Sequence, residues 1–254
     1  MTKKEKVMQL AKMILQMNKT IIFTGAGISI SSGYPDLAGM QEIAQNDSEF
    51  HDNLLRLLTN RFAQKNPLMF YRLYRKTHFK PLSQPSLSHE VITLLQKEKL
   101  IAGIITMNLD HLHTIAGSKN VVEYWGSIND NYCVAEHHYF SMNFIARHSV
   151  PYCPLDGSLI LPVFVERNMT AIKKELECGR KLTTNTDLMI VCGTKAAHGI
   201  PGNPHKMVVI NKMHTKLDLK ADLVIHANLD WVFEQLAIDL CLKKRGGFHD
   251  EIIT

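Results

Sequence analysis

Two segments combine residue types and spacings that suit ligand chemistry. The first is Thr24-Gly25-Ala26-Gly27-Ile28-Ser29, followed by Gly33-Tyr34-Pro35-Asp36. Glycines directly after a strand let the backbone approach a pyrophosphate closely. The helix that follows turns its amide hydrogens and positive dipole end toward the phosphates. The spacing is not the ordinary dinucleotide fingerprint, because the third glycine lies six residues after the second. No clear acidic residue closes a second strand about 20 positions on, and taken alone the glycines would equally suit a tight turn. The second segment is Thr106-Met107-Asn108-Leu109-Asp110-His111-Leu112-His113. It places an amide and a carboxylate two residues apart, directly after a strand, at the sheet edge where doubly wound folds hold ligands. Helix capping by Asn108 or Asp110 is the structural alternative.

Those segments need a scaffold that ends several strands at one edge. Thr20-Ile21-Ile22-Phe23-Thr24 is a β-branched run that stops at the first glycine, the pattern of a buried strand. Ile101 to Thr106, Val121 to Glu123, Leu188 to Cys192, Met207 to Ile210 and Leu223 to Ile225 predict five more. The spacing of Val7, Leu10, Ala11, Ile14 and Leu15 predicts an amphipathic helix over 3–17. Another helix is expected over 86–98, started by Ser86 or Ser88 with Glu90 in its first turn, and a last one over 229–243. Buried strands alternating with helices argue for an α/β fold: a Rossmann-like doubly wound parallel sheet covered on both faces.

Two stretches interrupt that rhythm. Residues 40–80 are helix-rich, with Leu54, Leu55, Leu57, Leu58 and Phe62 in one block and Phe70, Tyr71 and Tyr74 in another. Residues 127–165 carry Cys133, His137, His138, Cys153, three prolines and little periodicity, as an inserted module would. The expected organisation is one domain over 1–254. Its Rossmann-like part occupies about 1–36, 86–126 and 186–254, with a helical insertion at about 37–85 and a smaller module at about 127–165.

Bulk properties narrow the class. A hydrophobic share of 45% with 21% charged residues is a globular composition and argues against general disorder. The net charge of +5 is spread along the chain, with small clusters at Lys3-Lys4 and Lys243-Lys244-Arg245 that read as solvated helix ends. No concentrated basic face points to dedicated nucleic-acid binding. Lys3, Lys4, Glu5, Lys6 and Lys12 break any apolar run at the start, and no apolar stretch nears the ~18 residues of a membrane span. Five cysteines at irregular spacing do not form a disulfide framework, so a reducing cytoplasm is expected.

Together the two segments resemble the sirtuin family, whose members carry Gly-Ala-Gly-Ile-Ser, then Ser-Gly-Ile-Pro-Asp-Phe-Arg, then Thr-Gln-Asn-Ile-Asp-x-Leu-His. Val122-Glu123-Tyr124-Trp125-Gly126-Ser127, with Cys133 eight residues after Trp125, is similar to the family's Glu-Leu-His-Gly-Ser and first zinc cysteine. Asp187 to Gly193-Thr194 is similar to its Gly-Thr-Ser segment, and Ile210-Asn211 to its adenosine-side Ile-Asn. Order and spacing hold from about residue 3 to residue 242. The resemblance implies an NAD pocket. Gly25, Ala26, Gly27 and Ser29 would hold the pyrophosphate, and Asp36 would belong to a flexible cofactor loop. Asn108 and Asp110 would line the nicotinamide end, and Gly193, Thr194 and Asn211 the adenosine half.

The departures fall where the family does its chemistry. Its general-base histidine falls on Trp125, whose ring offers only a donor; general-base catalysis typically contributes about 10²–10⁴-fold. Phe-Arg after Pro-Asp is Leu37-Ala38, the Gln before Asn is Met107, and the Ser of Gly-Thr-Ser is Lys195. The Phe-Gly-Glu that pairs with an acyl-lysine peptide reads Phe164-Val165-Glu166. His111, His113 and, more weakly, His198 are the histidines that could replace the base, although none matches its position. The family's two Cys-x-x-Cys pairs become Cys133-Val134-Ala135-Glu136 and Cys153-Pro154-Leu155-Asp156. Cys133 and Cys153 remain as metal ligands, with Glu136, His137, His138 and Asp156 able to complete a zinc site. A folded, metal-free module is the favoured reading, because structural zinc prefers Cys and His. The expectation is an NAD-consuming transferase in which ADP-ribosyl transfer or NAD cleavage is easier than lysine deacylation, since nicotinamide leaves before the histidine is needed. The alternative is a catalytically inactive module that binds NAD or ADP-ribose. A protein substrate fits the first.

Overall fold

The computed structural model describes residues 1–197 and 199–242, so His198 and the basic run Lys243-Lys244-Arg245 lie outside the described residues. Six strands form one sheet: β1 (Thr20–Thr24), β2 (Gly103–Thr106), β3 (Val121–Glu123), β7 (Leu188–Cys192), β8 (Lys206–Ile210) and β9 (Leu223–Ile225). Their spatial order is β3-β2-β1-β7-β8-β9, and every neighbouring pair is parallel. Alternate residues feed two cores. Ile22, Ile104, Ile190 and Val208 face the helices Lys3–Gln16, Leu87–Lys97 and Leu229–Asp239. Ile21, Phe23, Ile105, Met189, Val191 and Val209 face the other way, toward Cys178 and Leu182 of the helix Lys173–Thr183. Burial on both faces is why these strands read as unbroken apolar runs. Each such side chain contributes roughly 1.5–3 kcal/mol.

The chain leaves β1 toward β2 and β3 on one side, while β7, β8 and β9 lie on the other. The connections that follow β1 and β7 therefore run to opposite faces of the sheet, with Ile28 in one core and Ala196 and Ile200 in the other, which marks the switch point where doubly wound sheets bind ligands. The fold class is the expected one: a parallel six-stranded sheet flanked by helices, plus a small antiparallel sheet.

That small sheet has the order β5-β4-β6, formed by β4 (Asn131–Cys133), β5 (Tyr139–Phe140) and β6 (Ile160–Pro162). It shares one core with the helices Leu37–Gln45, Leu54–Leu57, Asn60–Lys65 and Pro67–Thr77. Phe70, Tyr71, Tyr74, Ile145, Ile160 and Phe164 are fully buried together, and the Tyr71 hydroxyl donates to the Ile160 carbonyl. Arg75 donates to the carbonyls of Ser149 at 2.8 Å and Ile145 at 3.2 Å. The two inserted stretches are thus packed as one body beside the sheet.

Several local expectations are corrected. Leu15 and Leu55 are 63% exposed; Met13 is buried in the first helix instead. The last helix ends at Asp239, and residue 243 lies outside the described residues. Of the two starts expected for the helix Leu87–Lys97, Ser86 is the one that caps it, in a box closed by His89.

Candidate active site

The Gly25-Ala26-Gly27 turn is built by backbone against backbone. The amides of Gly25 and Gly27 donate to the carbonyls of Cys192 and Gly193 at 3.1 and 2.8 Å. A Cβ on Gly27 would stand 2.8 Å from Gly193 Cα, and one on Gly25 would stand 2.6 Å from Thr194 Cβ. Gly193 itself has φ +61°, a conformation that glycine alone adopts freely. These glycines lock the loops after β1 and β7 together. The Ala26 amide is left without a backbone partner among the described residues. It opens a seven-residue 3-10 helix, Ala26–Ser32. The turn therefore leads into a shorter, tighter helix than a full dinucleotide-binding helix, with fewer amides in line.

Behind the turn lies a buried polar network. Ser29, Asn108 and Asp110 are 1%, 7% and 6% exposed. The Ser29 hydroxyl donates to Asp110 Oδ2 at 2.6 Å. The Asn108 amide donates to Ser29 Oγ at 3.1 Å and to the Gly25 carbonyl at 3.3 Å. Asp110 Oδ1 accepts the Leu112 amide at 3.0 Å. Burial raises the Asp110 carboxyl above its usual range, opposed by the Ser29 and Leu112 bonds. Burial and the Asp110 charge together push the Tyr34 hydroxyl up. The network joins the two sequence motifs, which are about 80 residues apart, at the carboxyl end of β1 and β2.

The remaining site residues divide. Thr194 accepts the Ala196 amide at 3.0 Å and sits against Gly25. Asn211 follows β8, its amide bonded to the Ile225 carbonyl at 3.2 Å. Asp36 is exposed and caps the helix Leu37–Gln45 by accepting the Gly39 amide at 2.8 Å, so no hydrogen bond joins it to the Ser29 network. Trp125 follows β3, is partly buried, and packs against both the second sheet face and the inserted core.

His111 and His113, two of the histidines considered as replacement bases, are held by neighbouring groups. His113 is 1% exposed and lies 3.0 Å from Thr24 Oγ1, with its ring 4.7 Å from that of His89. Burial keeps it neutral, its pKa well below the usual value; His89 is pushed down to about 4 by the same cause. His111 is held at φ +63° and lies 2.9 Å from Glu123 Oε1. That contact raises its pKa, while burial raises that of Glu123. The partnership of His111 with Glu123 was not readable from spacing. A polar residue at the carboxyl end of a short edge strand was the only signal.

The matching family model, described as the Sir2 family, covers residues 25–198. The chain belongs to the Sir2 family. It is 30% identical over 230 residues to a Clostridium tetani protein named NAD-dependent protein deacetylase, spanning 87% of this chain and 92% of that one. A Sulfolobus acidocaldarius protein of the same name is 31% identical over 243 residues, covering 89% and 92%. Among solved structures, Sir2 bound to acetylated peptide superposes with a TM-score of 0.77 at 26% identity, covering 92% of this chain and 98% of that one. A Sir2 complex with a peptide and NAD+ gives 0.76 at 25% identity over 92% and 98%.

Against that family background, the small module keeps a compact donor set. Cys133, His138, Cys153 and Asp156 place one donor atom each within 4.8 Å of one another. Cys133 Sγ lies 3.4 Å from His138 Nδ1 and 3.0 Å from Asp156 Oδ2, and His138 Nδ1 lies 3.2 Å from Asp156. Zinc with bonds of about 2.0–2.3 Å in a tetrahedron holds donors about 3.3–3.8 Å apart; His138 Nδ1 meets this with Cys133 at 3.4 Å and Cys153 at 3.5 Å, while the Asp156 contacts are shorter, so the donor types suit the ion and Asp156 would have to draw back a few tenths of an ångström. Hydrogen bonds, led by that from Ser158, hold Asp156 well below the usual carboxylate range and keep it anionic. His137 turns away to Glu166 at 3.1 Å, and Glu136 is exposed. Of the residues the sequence left open, His138 and Asp156 are the two that converge.

Proposed function

We propose that the protein binds NAD along the crevice between the β1 and β7 loops and cleaves it at the nicotinamide end, passing the ADP-ribosyl group to a protein acceptor or to water. The observation that supports this reading is the buried Ser29–Asn108–Asp110 network. A carboxylate held in place by a serine hydroxyl and a backbone amide is an oriented negative charge in a site from which water is excluded. Such a charge stabilises the positive charge that develops on a sugar as its glycosidic bond breaks. The amide of Asn108 fixes Ser29, and through it the carboxylate. Ala26 supplies an amide for the pyrophosphate, with Gly193, Thr194 and Asn211 along the adenosine side.

Lysine deacylation, the activity in the relatives' names, needs two further parts. One is a proton acceptor beside the ribose; by the motif resemblance Trp125 falls at that position, and its indole cannot accept. The other is a free backbone edge for the substrate peptide. Val163–Glu166 is instead a helical turn in which Phe164 and Val165 are fully buried. The Val165 carbonyl accepts the Asn168 amide at 3.0 Å, and the Glu166 carbonyl accepts from the Asn60 side chain at 3.0 Å. Zinc bound by Cys133, His138, Cys153 and Asp156 would brace the small module and take no part in bond cleavage.

The test is to incubate the purified protein with NAD, alone and with acetyl-, succinyl- and long-chain acyl-lysine peptides. Nicotinamide release without loss of acyl groups is the expected result. Deacylation at rates typical of enzymes, about 1 s⁻¹ or faster, would overturn it, as would Trp125→His conferring that rate by itself. Binding of ADP-ribose with no nicotinamide release would instead identify an NAD or ADP-ribose sensor.

A further inference from the structure

A second group of metal-type donors stands outside both the Ser29 network and the small module. His214 and Asp218 lie on the loop between β8 and β9, and His226 directly follows β9. His226 Nδ1 is 3.1 Å from the Asn211 carbonyl oxygen. A carbonyl only accepts, so His226 Nδ1 donates to it and Nε2 is the nitrogen left to face Asp218. That nitrogen lies 3.1 Å from Asp218 Oδ2, and His214 Nδ1 lies 3.2 Å from the same oxygen. The three donor atoms lie within 4.8 Å of one another. The two imidazole rings are tilted against each other, with centroids 4.1 Å apart. One shared ion satisfies all three groups.

The surroundings are those of a ligand set. The Thr215 hydroxyl donates to Oδ1 at 2.7 Å and the Thr215 amide to Oδ2 at 3.2 Å. Each of the two inner ligands thus has an outer partner that fixes its orientation: Thr215 for Asp218, and the Asn211 carbonyl for His226. The separations of 3.1 and 3.2 Å are close to the roughly 3.3 Å edge of a tetrahedron with bonds of about 2.0 Å. The His214 side chain is 88% exposed, which provides an entry path.

We propose that His214, Asp218 and His226 form a three-ligand site for a divalent transition cation of the zinc class, with a fourth position open to solvent. Two imidazoles and one carboxylate favour zinc, nickel or copper over magnesium or calcium, which prefer all-oxygen sets. An ion there ties the β8–β9 loop to the end of β9, directly beside Asn211. The site goes beyond the NAD reading and does not depend on it.

Zinc ion, titrated in competition with a chromophoric chelator near neutral pH, is the probe. It is added to the full chain as wild type, His214→Ala and Asp218→Asn. His214 is a surface residue, so its truncation leaves the core intact. Each variant should take up one zinc fewer than wild type, or bind that equivalent at least about tenfold more weakly. The difference is read, whatever the Cys133 module binds. Zinc should also raise the melting temperature of wild type more than that of His214→Ala. Equal stoichiometry and affinity in all three proteins would overturn the proposal. So would weakening in Asp218→Asn alone, because the carboxylate would then be serving only its turn.

Discussion

Replacing Asp110 with Asn tests the chemical reading at its centre. The substitution preserves shape and keeps an oxygen for the Leu112 amide, bonded at 3.0 Å. It removes the charge that accepts the Ser29 hydroxyl at 2.6 Å. That charge-assisted bond is worth about 1.5–3 kcal/mol, against about 1 kcal/mol for the neutral one replacing it. The loss is offset on the other side. Burial raises the Asp110 pKa, so its contribution to stability is present below the ordinary carboxylate pKa and lost as pH rises through the folded value. At neutral pH the buried charge is a cost that Asn removes, and the net change in stability should stay within about 1 kcal/mol. Catalysis should respond differently. A unit charge about 5 Å from a developing cation, at an effective dielectric of about 20, is worth about 3 kcal/mol, or roughly two orders of magnitude in rate. Asp110→Asn should therefore release nicotinamide about 100-fold more slowly than wild type, with ADP-ribose affinity nearly unchanged. Chromatographic measurement of nicotinamide, beside urea unfolding and ADP-ribose titration, separates the two effects. A folded variant that releases nicotinamide at the wild-type rate would remove the carboxylate from the mechanism.

Gly27→Ala should part the two cofactor loops, since the new methyl would meet Gly193 backbone at 2.8 Å. A stability loss of about 1–3 kcal/mol and at least about tenfold weaker ADP-ribose binding are expected by urea unfolding and calorimetry. Glu123→Gln should lower the His111 pKa, because the Glu123 carboxylate is the main cause raising it. The stability His111 draws from this pair is present below its unfolded pKa of about 6.5 and lost as pH rises through the folded value, so wild type should outlast the variant most clearly on the acid side. Proton NMR titration of the imidazole together with melting curves across that window checks it, and an unmoved His111 would refute the pairing. Zinc-loaded protein should lose melting temperature on strong chelation, and Cys133→Ser should bind zinc at the small module at least about tenfold more weakly. Identical melting curves for loaded and chelated protein would leave the four donors as a plain hydrogen-bonded cluster.

Much of the scaffold was readable because its signals are local. Both faces of the sheet are covered, so Thr20–Thr24 and Leu188–Cys192 had to be continuous apolar runs, and such runs ending in glycine mark strands and the edge they end on. Gly25, Gly27, Asn108 and Asp110 stood out by type and spacing, but taken alone the glycines equally suited a tight turn and the polar pair a helix cap; it was the resemblance that grouped them as one site. What the sequence could not contain was convergence. Cys133 and Cys153 were visible, but whether Glu136, His137, His138 or Asp156 completes their set depends on how β4 and the following loops pack. That packing sends His137 to Glu166 and His138 inward. His111 reads as one polar residue among several until its left-handed backbone and the end of β3 bring it to Glu123. The group of His214, Asp218 and His226 belongs to no motif, and it exists because β8 and β9 are neighbours in register. Hydrophobic periodicity encodes which face of an element is buried. Meetings between side chains on separate elements are decided by tertiary packing, and those meetings determine which charges and donor atoms come together in this protein.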